Sequence, residues 1–263
     1  MSSTTPTMAA RHPQMAVPET EVLRLLRQRG SVRDYKPDPV PETWVEAILA
    51  AGQRAPTSSN VQAYSIVVVR DAGKKARLAE LAGNQQHIID CPVFFALCAD
   101  QRRLTLACEQ HGVVYQGQTL EQWLIASIDV ALLGMSMTLA ADSMGLGTVM
   151  IGGMRNQPLA VAELLELPQQ VYVVFGLCLG WPKSAPLPKP RQPLGAVVHH
   201  ERYDEGAVRE AVAAYDGELG AHYTGQGRAT PEAAWTKPMA EKFSKPIRAK
   251  LRQEMHARGF GLE

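Results

Sequence analysis

Five polar patches, each beside an apolar segment, carry the chemistry legible in this chain. They are Arg29, Ser31 and Arg33; Thr57, Ser58 and Ser59; Gln85; Gly152 and Gly153; and Lys189 with Arg191. Cations and hydroxyls at such spacings hold a phosphate through charge-assisted hydrogen bonds. A glycine pair lets a flat ligand or another backbone come close to main-chain N–H groups, because no Cβ intervenes. All five patches together suit a phosphorylated, planar cofactor. Each one alone has a plainer reading. A glycine pair is usually a helix–turn–strand corner, two nearby cations a solvated face, and a Thr-Ser-Ser run a loop or cap. Gln85 and His87 read as surface residues, and His111, His199 and His200 have no evident partner. The usual devices of other reaction classes are missing from the sequence. There is no P-loop, no nucleophile elbow, no HExxH, and no GxGxxG after a strand, since Gly145-Leu-Gly precedes one.

The elements that must position these patches follow from apolar periodicity and caps. Glu19 to Arg29 reads as a first helix with Val22, Leu23 and Leu26 on one face. Pro41 opens a second helix at its first position, with Trp44, Val45, Ile48 and Leu49 as the buried stripe. A strand is expected over Ser65–Arg70, then a helix capped by Asp71 and ended by Gly83. Asn84–His87 reads as a polar loop, Val93–Ala99 as a strand and Gln101–His111 as a helix. The longest apolar run, Leu120 to Met144, reads as one buried helix leading by a tight turn into the strand Thr148–Ile151. A helix Pro158–Leu167 and a strand Val171–Leu179 follow; the strand is apolar enough to be buried on both faces. From Tyr203 onward the pattern is polar and helical, including Pro246–His256. Strands alternating with helices mean layers around a central sheet.

At 263 residues the chain can form one large domain or two small ones. Apolar residues are 46% and charged residues 20%, a soluble globular balance. A net charge of +1 argues against a general nucleic-acid binder. Cys91, Cys98, Cys108 and Cys178 show no CxxC spacing and no clustered histidines, which points to a reduced, intracellular compartment and no metal site. Met1 to Pro18 is rich in Ser, Thr and Pro without an apolar core, so it reads as a disordered tail and not a secretory signal. Leu124 to Ala141 has the length to span a bilayer. Asp129 within it, Asp142 after it, and the small residues Ser127, Ala131, Gly134 and Ser136 favour tight packing in a soluble core, with no membrane partner.

Taken in order, the patches resemble the flavin-dependent nitroreductase superfamily, specifically its oxygen-insensitive NADPH nitroreductase and flavin reductase group. The resemblance runs from about Leu23 to Asp204 and weakly beyond. Ile151-Gly-Gly-Met-Arg-Asn156 and Phe175-Gly-Leu-Cys-Leu-Gly-Trp-Pro182, with Lys189-Pro-Arg191, carry most of it. It implies an α+β, nitroreductase-like fold, with a central mixed β-sheet flanked by helices and a helical C-terminal extension. It divides the chain into a tail (1–18), an FMN-binding core (19–204) and an extension (205–263). It further implies FMN as cofactor, NADPH or NADH as electron donor, and nitroaromatics, quinones or related small molecules as acceptors. Ping-pong hydride transfer, a cytoplasmic homodimer with the long helix at its centre, and no nucleic-acid partner complete the expectation.

Residue by residue, the resemblance assigns Arg29, Gly30, Ser31 and Arg33 to the cofactor's phosphate and ring, with Gly30 where the family pattern has a cation. Thr57, Ser58 and Ser59 match its hydroxyl cluster, Gln85 its ring glutamine, and Ile151, Gly152 and Gly153 the residues along the ring. Lys189 and Arg191 match its phosphate-binding pair. Arg228, displaced by a few residues from the family position, is the candidate for the nicotinamide phosphate. No side chain is catalytic in the usual sense: the cofactor carries the hydride, and Arg33 supplies electrostatic stabilisation. The alternatives are a flavin reductase that supplies reduced FMN to a monooxygenase, and a non-catalytic flavin carrier or sensor.

Overall fold

Side-chain caps set several helix starts. Thr20 accepts from the Leu23 amide at 3.3 Å and opens α1 (Glu21–Gln28). Asp71 accepts from the Lys74 amide at 2.7 Å and opens α3 (Ala72–Leu81), and Asp204 does the same for α8 (Glu205–Thr224). The computed structural model describes residues 17–230 and 233–261; the tail expected over 1–18 lies outside them up to residue 16.

Pro41 is the N-cap of α2 (Glu42–Gln53), one position earlier than the sequence suggests. β1 (Tyr64–Val69) precedes α3, and the expected polar loop at Asn84–His87 instead runs into a short helix, α4 (Gln86–Asp90). β2 (Val93–Asp100) and α5 (Arg102–Gln110) follow, then the long helix α6 (Leu120–Ser143). β3 (Gly147–Ile151), α7 (Pro158–Leu164) and β4 (Val171–Gly180) complete the alternation. α7 is one turn shorter than its apolar pattern, because Glu166 takes a left-handed backbone and ends it. After α8 come α9 (Thr236–Phe243) and α10 (Leu251–Ala257). The helix expected over Pro246–His256 therefore begins five residues late, after Arg248 turns left-handed (φ 53°).

The sheet order is β1-β2-β4-β3, and all three pairings are antiparallel, in place of the mixed sheet expected. Every residue of β2 and β4 is buried, so the two central strands are covered on both faces. α6 covers one face with Ala126, Val130, Leu133, Met137 and Ala141, all fully buried. α3 and α7 cover the other face around Leu78, Leu81, Phe94 and Val161. α6 is the one described helix long and apolar enough to cross a membrane; its buried stripe belongs to this core. All four cysteines are free thiols.

Candidate functional site

The segment from Arg29 to Lys36 is held like a zip between two strand ends. The Val32 amide donates to Thr148 O on β3 at 2.9 Å, and the Lys36 amide donates to Trp181 O, just past β4, at 2.8 Å. Tyr35, 3% exposed, bridges to Pro182 and donates its hydroxyl proton to Val32 O at 2.7 Å. Lys183 pairs with Asp34 at 2.7 Å. With Val32 and Tyr35 turned inward, Ser31 and Arg33 are left on the exposed side, beside the proline loop that leaves β4.

That juxtaposition makes one cavity of about 110 Å³ lined by Arg29, Gly30, Ser31, Arg33, Leu187, Lys189 and Arg191. Two patches separated by some 150 residues thus meet in one place, and among the described residues no carboxylate lines the cavity. Among the described residues, Arg33, Lys189 and Arg191 form no ion pair. These three cations, beside Arg29 in so small a space, repel one another unless an anion joins them. The walls therefore fit a phosphate. Lys189 Nζ donates to the Tyr223 hydroxyl at 3.3 Å, and the Arg228 guanidinium stacks on the same ring at 4.5 Å, so Arg228 stands one residue removed from the cradle. Gly30 also finds its reason here. A Cβ at that position would lie 2.8 Å from Pro186 Cβ, so the proline loop occupies the space a side chain needs.

Arg29 is tied inward. Its Nε lies 3.6 Å from Asp142 Oδ2 at the end of α6. Burial pushes the Asp142 carboxyl up to about 6, with Arg29 pulling the other way. A raised carboxyl favours the neutral form in the fold, so this group contributes stability below about pH 4 that is lost as pH rises through about 6. Asp142→Asn should flatten that dependence, so that the melting temperatures of variant and wild type diverge between pH 4 and 7. A constant difference across that range counts against it.

The glycine pair forms a second part of the site. Gln85 Nε2 donates to Ala82 O at 2.9 Å, and the same carbonyl accepts from Asn156 Nδ2 at 3.2 Å. A Cβ on Gly153 would lie 2.5 Å from Ala82 O and 2.6 Å from Gln85 Nε2. The close approach read from the sequence is therefore made, at Gly153, by the backbone at the end of α3. Gly152 stays half-buried, and the nearest atom a Cβ there would meet is Arg155 Nη2 at 3.4 Å. Ile151 is 1% exposed and its side chain packs in the core, so only its backbone borders the glycine loop. Burial lowers the His87 imidazole, helped by the Arg33 charge. Arg248, which has no sequence signal, donates to Gly152 O and to Asn156 Oδ1, both at 3.0 Å, and fastens the C-terminal segment to this loop.

The hydroxyl cluster stands elsewhere. The Ser58 amide donates to Asp129 Oδ1 at 3.1 Å. Asp129 and Asp142 sit thirteen residues apart on α6, which is about 20 Å along the axis. Within one chain, Thr57, Ser58 and Ser59 thus lie across the molecule from the cation cradle. A row of apolar side chains runs along the free face of the same helix: Leu120, Leu124, Ile128 and Leu132, between 39% and 50% exposed.

Residues 26–181 match the model of the nitroreductase family, and residues 189–263 match that family's C-terminal domain. The oxygen-insensitive NADPH nitroreductase of Salmonella typhimurium is 35% identical over 90% of this chain and 97% of its own length. The FMN reductase [NAD(P)H] of Bacillus subtilis is 33% identical over 92% of this chain and 99% of its own. The structure of B. megaterium NfrA2 superimposes with a TM-score of 0.90 at 33% identity, covering 93% of this chain and all of that one.

Proposed function

Because the chain belongs to the nitroreductase family, we propose that it is an FMN-dependent NAD(P)H oxidoreductase that reduces nitroaromatics, quinones or related small acceptors in ping-pong fashion. The single observation that carries this reading is the cavity that gathers Arg33, Lys189 and Arg191, none of which forms an ion pair among the described residues, beside Arg29 and Ser31. FMN, when bound, supplies the hydride chemistry, accepting from the nicotinamide and giving to the acceptor. The protein's part is to hold and to tune. Arg29, Ser31, Lys189 and Arg191 take the phosphate; Gln85, Gly152 and the Ile151 and Gly153 backbone border the ring; Arg33 stabilises negative charge at its edge. Arg228, stacked on Tyr223 beside Lys189, takes the phosphate of NADPH. Free thiols suit a cytoplasmic enzyme.

The reading requires a homodimer. The Thr57–Ser59 cluster is too far from the cradle of its own chain to join it, so it serves the cradle of a second copy. The exposed apolar row on α6 supplies the surface on which two copies meet. We assign residues 19–204 to the FMN-binding core and 205–263 to an extension that reaches the glycine loop through Arg248. Ile128→Glu places a charge in the middle of the apolar row and should convert the dimer to monomer in sedimentation. An unchanged mass argues that another face mediates assembly.

The deciding experiment is an anaerobic visible spectrum of the purified protein before and after NADPH or NADH, in separate cuvettes. A flavin spectrum that bleaches supports the enzyme, and the faster donor reports what Arg228 does. Saturation by free FMN beyond the bound equivalent favours a flavin reductase that releases its product. Flavin that neither donor reduces favours a carrier or sensor, and a colourless protein that takes up no FMN overturns the reading.

A further inference from the structure

Asp129 is a carboxylic acid 1% exposed in the middle of an apolar helix, a costly place for such a group. Its Oδ1 accepts from the Ser58 amide at 3.1 Å, while its Oδ2 has no hydrogen-bond partner among the described residues. The loop it holds is strained. Ser59, Asn60 and Gln62 have φ of 47°, 57° and 54°, so three of four consecutive non-glycine residues adopt the left-handed conformation. Strain of this kind persists only where the surroundings over-determine it, and it gathers at functional sites. Local bonds help: the Val61 amide donates to Ser58 O at 2.8 Å, and Gln62 Nε2 donates to Asn60 Oδ1 at 3.1 Å. These bonds lie within the loop. They close it on itself without fixing where it stands.

We infer that Asp129 is the positioning residue that anchors the strained Thr57–Gln62 loop to α6 and so sets its hydroxyls for the flavin. This rests on the flavin reading above. α6 is the rigid member of the arrangement, packed across the sheet by its whole buried stripe. A bond from its interior to the Ser58 amide transmits that rigidity to the loop. The residue matters to binding through the loop, and it touches no ligand itself. The same helix presents its apolar row toward a second copy, so one element both forms the contact face and fixes the hydroxyls near it.

The test uses the full chain, stripped of flavin, as wild type, Asp129→Ala and Asp129→Asn. FMN is titrated by fluorescence quenching, thermal unfolding of the stripped proteins is followed in parallel, and exchange of the Ser58 amide is measured in wild type. Loss of one buried acceptor predicts FMN affinity about tenfold weaker in Asp129→Ala. Asp129→Asn keeps an acceptor for the amide and should stay within about threefold of wild type. Asn60→Gly lowers the cost of the left-handed turn, and in the Asp129→Ala background it should recover part of the lost affinity. The Ser58 amide should exchange slowly in the stripped protein. Equal FMN affinity in all variants overturns the inference, as does an equal loss in Ala and Asn that Asn60→Gly leaves untouched. Should Asp129→Ala not fold, the exchange rate decides, and a rapidly exchanging Ser58 amide overturns the anchor. Wild type that takes up no FMN overturns the flavin reading as well, whereas wild-type binding that Asp129→Ala retains in full overturns this inference alone.

Discussion

Replacing Lys189 and Arg191 together with alanine is expected to leave a folded protein that no longer retains FMN. Both cations are exposed, come from a proline-rich loop outside the core, and line the cavity of about 110 Å³ with Arg29 and Arg33. Their removal costs the fold little, because neither pairs with a carboxylate among the described residues. Lys189 gives up one bond to Tyr223, and Arg191 gives up main-chain contacts at Lys189 and Pro190. For a phosphate the loss is larger. Two charge-assisted hydrogen bonds are each worth roughly tenfold or more in affinity, so FMN should bind about a hundredfold more weakly. The cradle is open to solvent, and salt should erode wild-type affinity more steeply than that of the variant, which keeps Arg29 and Arg33. Riboflavin, which lacks the phosphate, is the control: its affinity should be the same in both proteins. An equal loss for riboflavin and FMN would place Lys189 and Arg191 away from the phosphate.

The second large effect is expected at Gly153. A Cβ there would stand 2.5 Å from the Ala82 carbonyl, a backbone atom that cannot swing aside, and 2.6 Å from the Gln85 amide. Gly153→Ala must push the end of α3 from β3's exit and break the bond by which Gln85 is oriented. Overpacking of this kind costs about 1–3 kcal/mol, roughly 5 °C of melting temperature for a chain of this size. Because Gln85 borders the proposed ring site, FMN affinity should fall with stability. Gly152→Ala is the matched control. The nearest atom its Cβ would meet is Arg155 Nη2 at 3.4 Å, the far end of a flexible side chain, so thermal stability should barely move. If the two variants melt together, the close approach at Gly153 does not constrain the loop.

Much of the architecture was legible because its causes are local. A cap such as Asp71 acts on an amide three residues away, and the stripe Val45, Ile48 shows itself at helical spacing within a single turn. The strands β2 and β4 announce themselves as unbroken apolar runs, and the five polar patches stand at element ends that the same patterns mark. The departures from those patterns have one local and one distant cause. Asn84–His87 reads as loop because polarity hides α4, a helix of barely more than one turn. The pattern through Pro246–His256 was helical, yet Arg248 leaves the helix to reach Gly152 and Asn156, a contact ninety residues away in sequence.

By itself, the sequence determined most element types, the apolar character of α6 and the order of patches that resembles a flavin site. Only tertiary structure decided how those patches meet. It brought Arg29–Arg33 and Lys189–Arg191 to one cavity, filled the space at Gly30 with Pro186, and closed Gly153 against Ala82. It made every strand pairing antiparallel, since direction depends on how the chain returns to the sheet and not on any strand's own composition. And it tied the Thr57–Ser59 loop to Asp129, about 20 Å along α6 from the Asp142 that pairs with Arg29, through a buried carboxylate that sequence showed only as an interruption in an apolar run. Local patterns follow from bonds between near neighbours in the chain; a site follows from packing between distant ones, which periodicity and spacing do not encode.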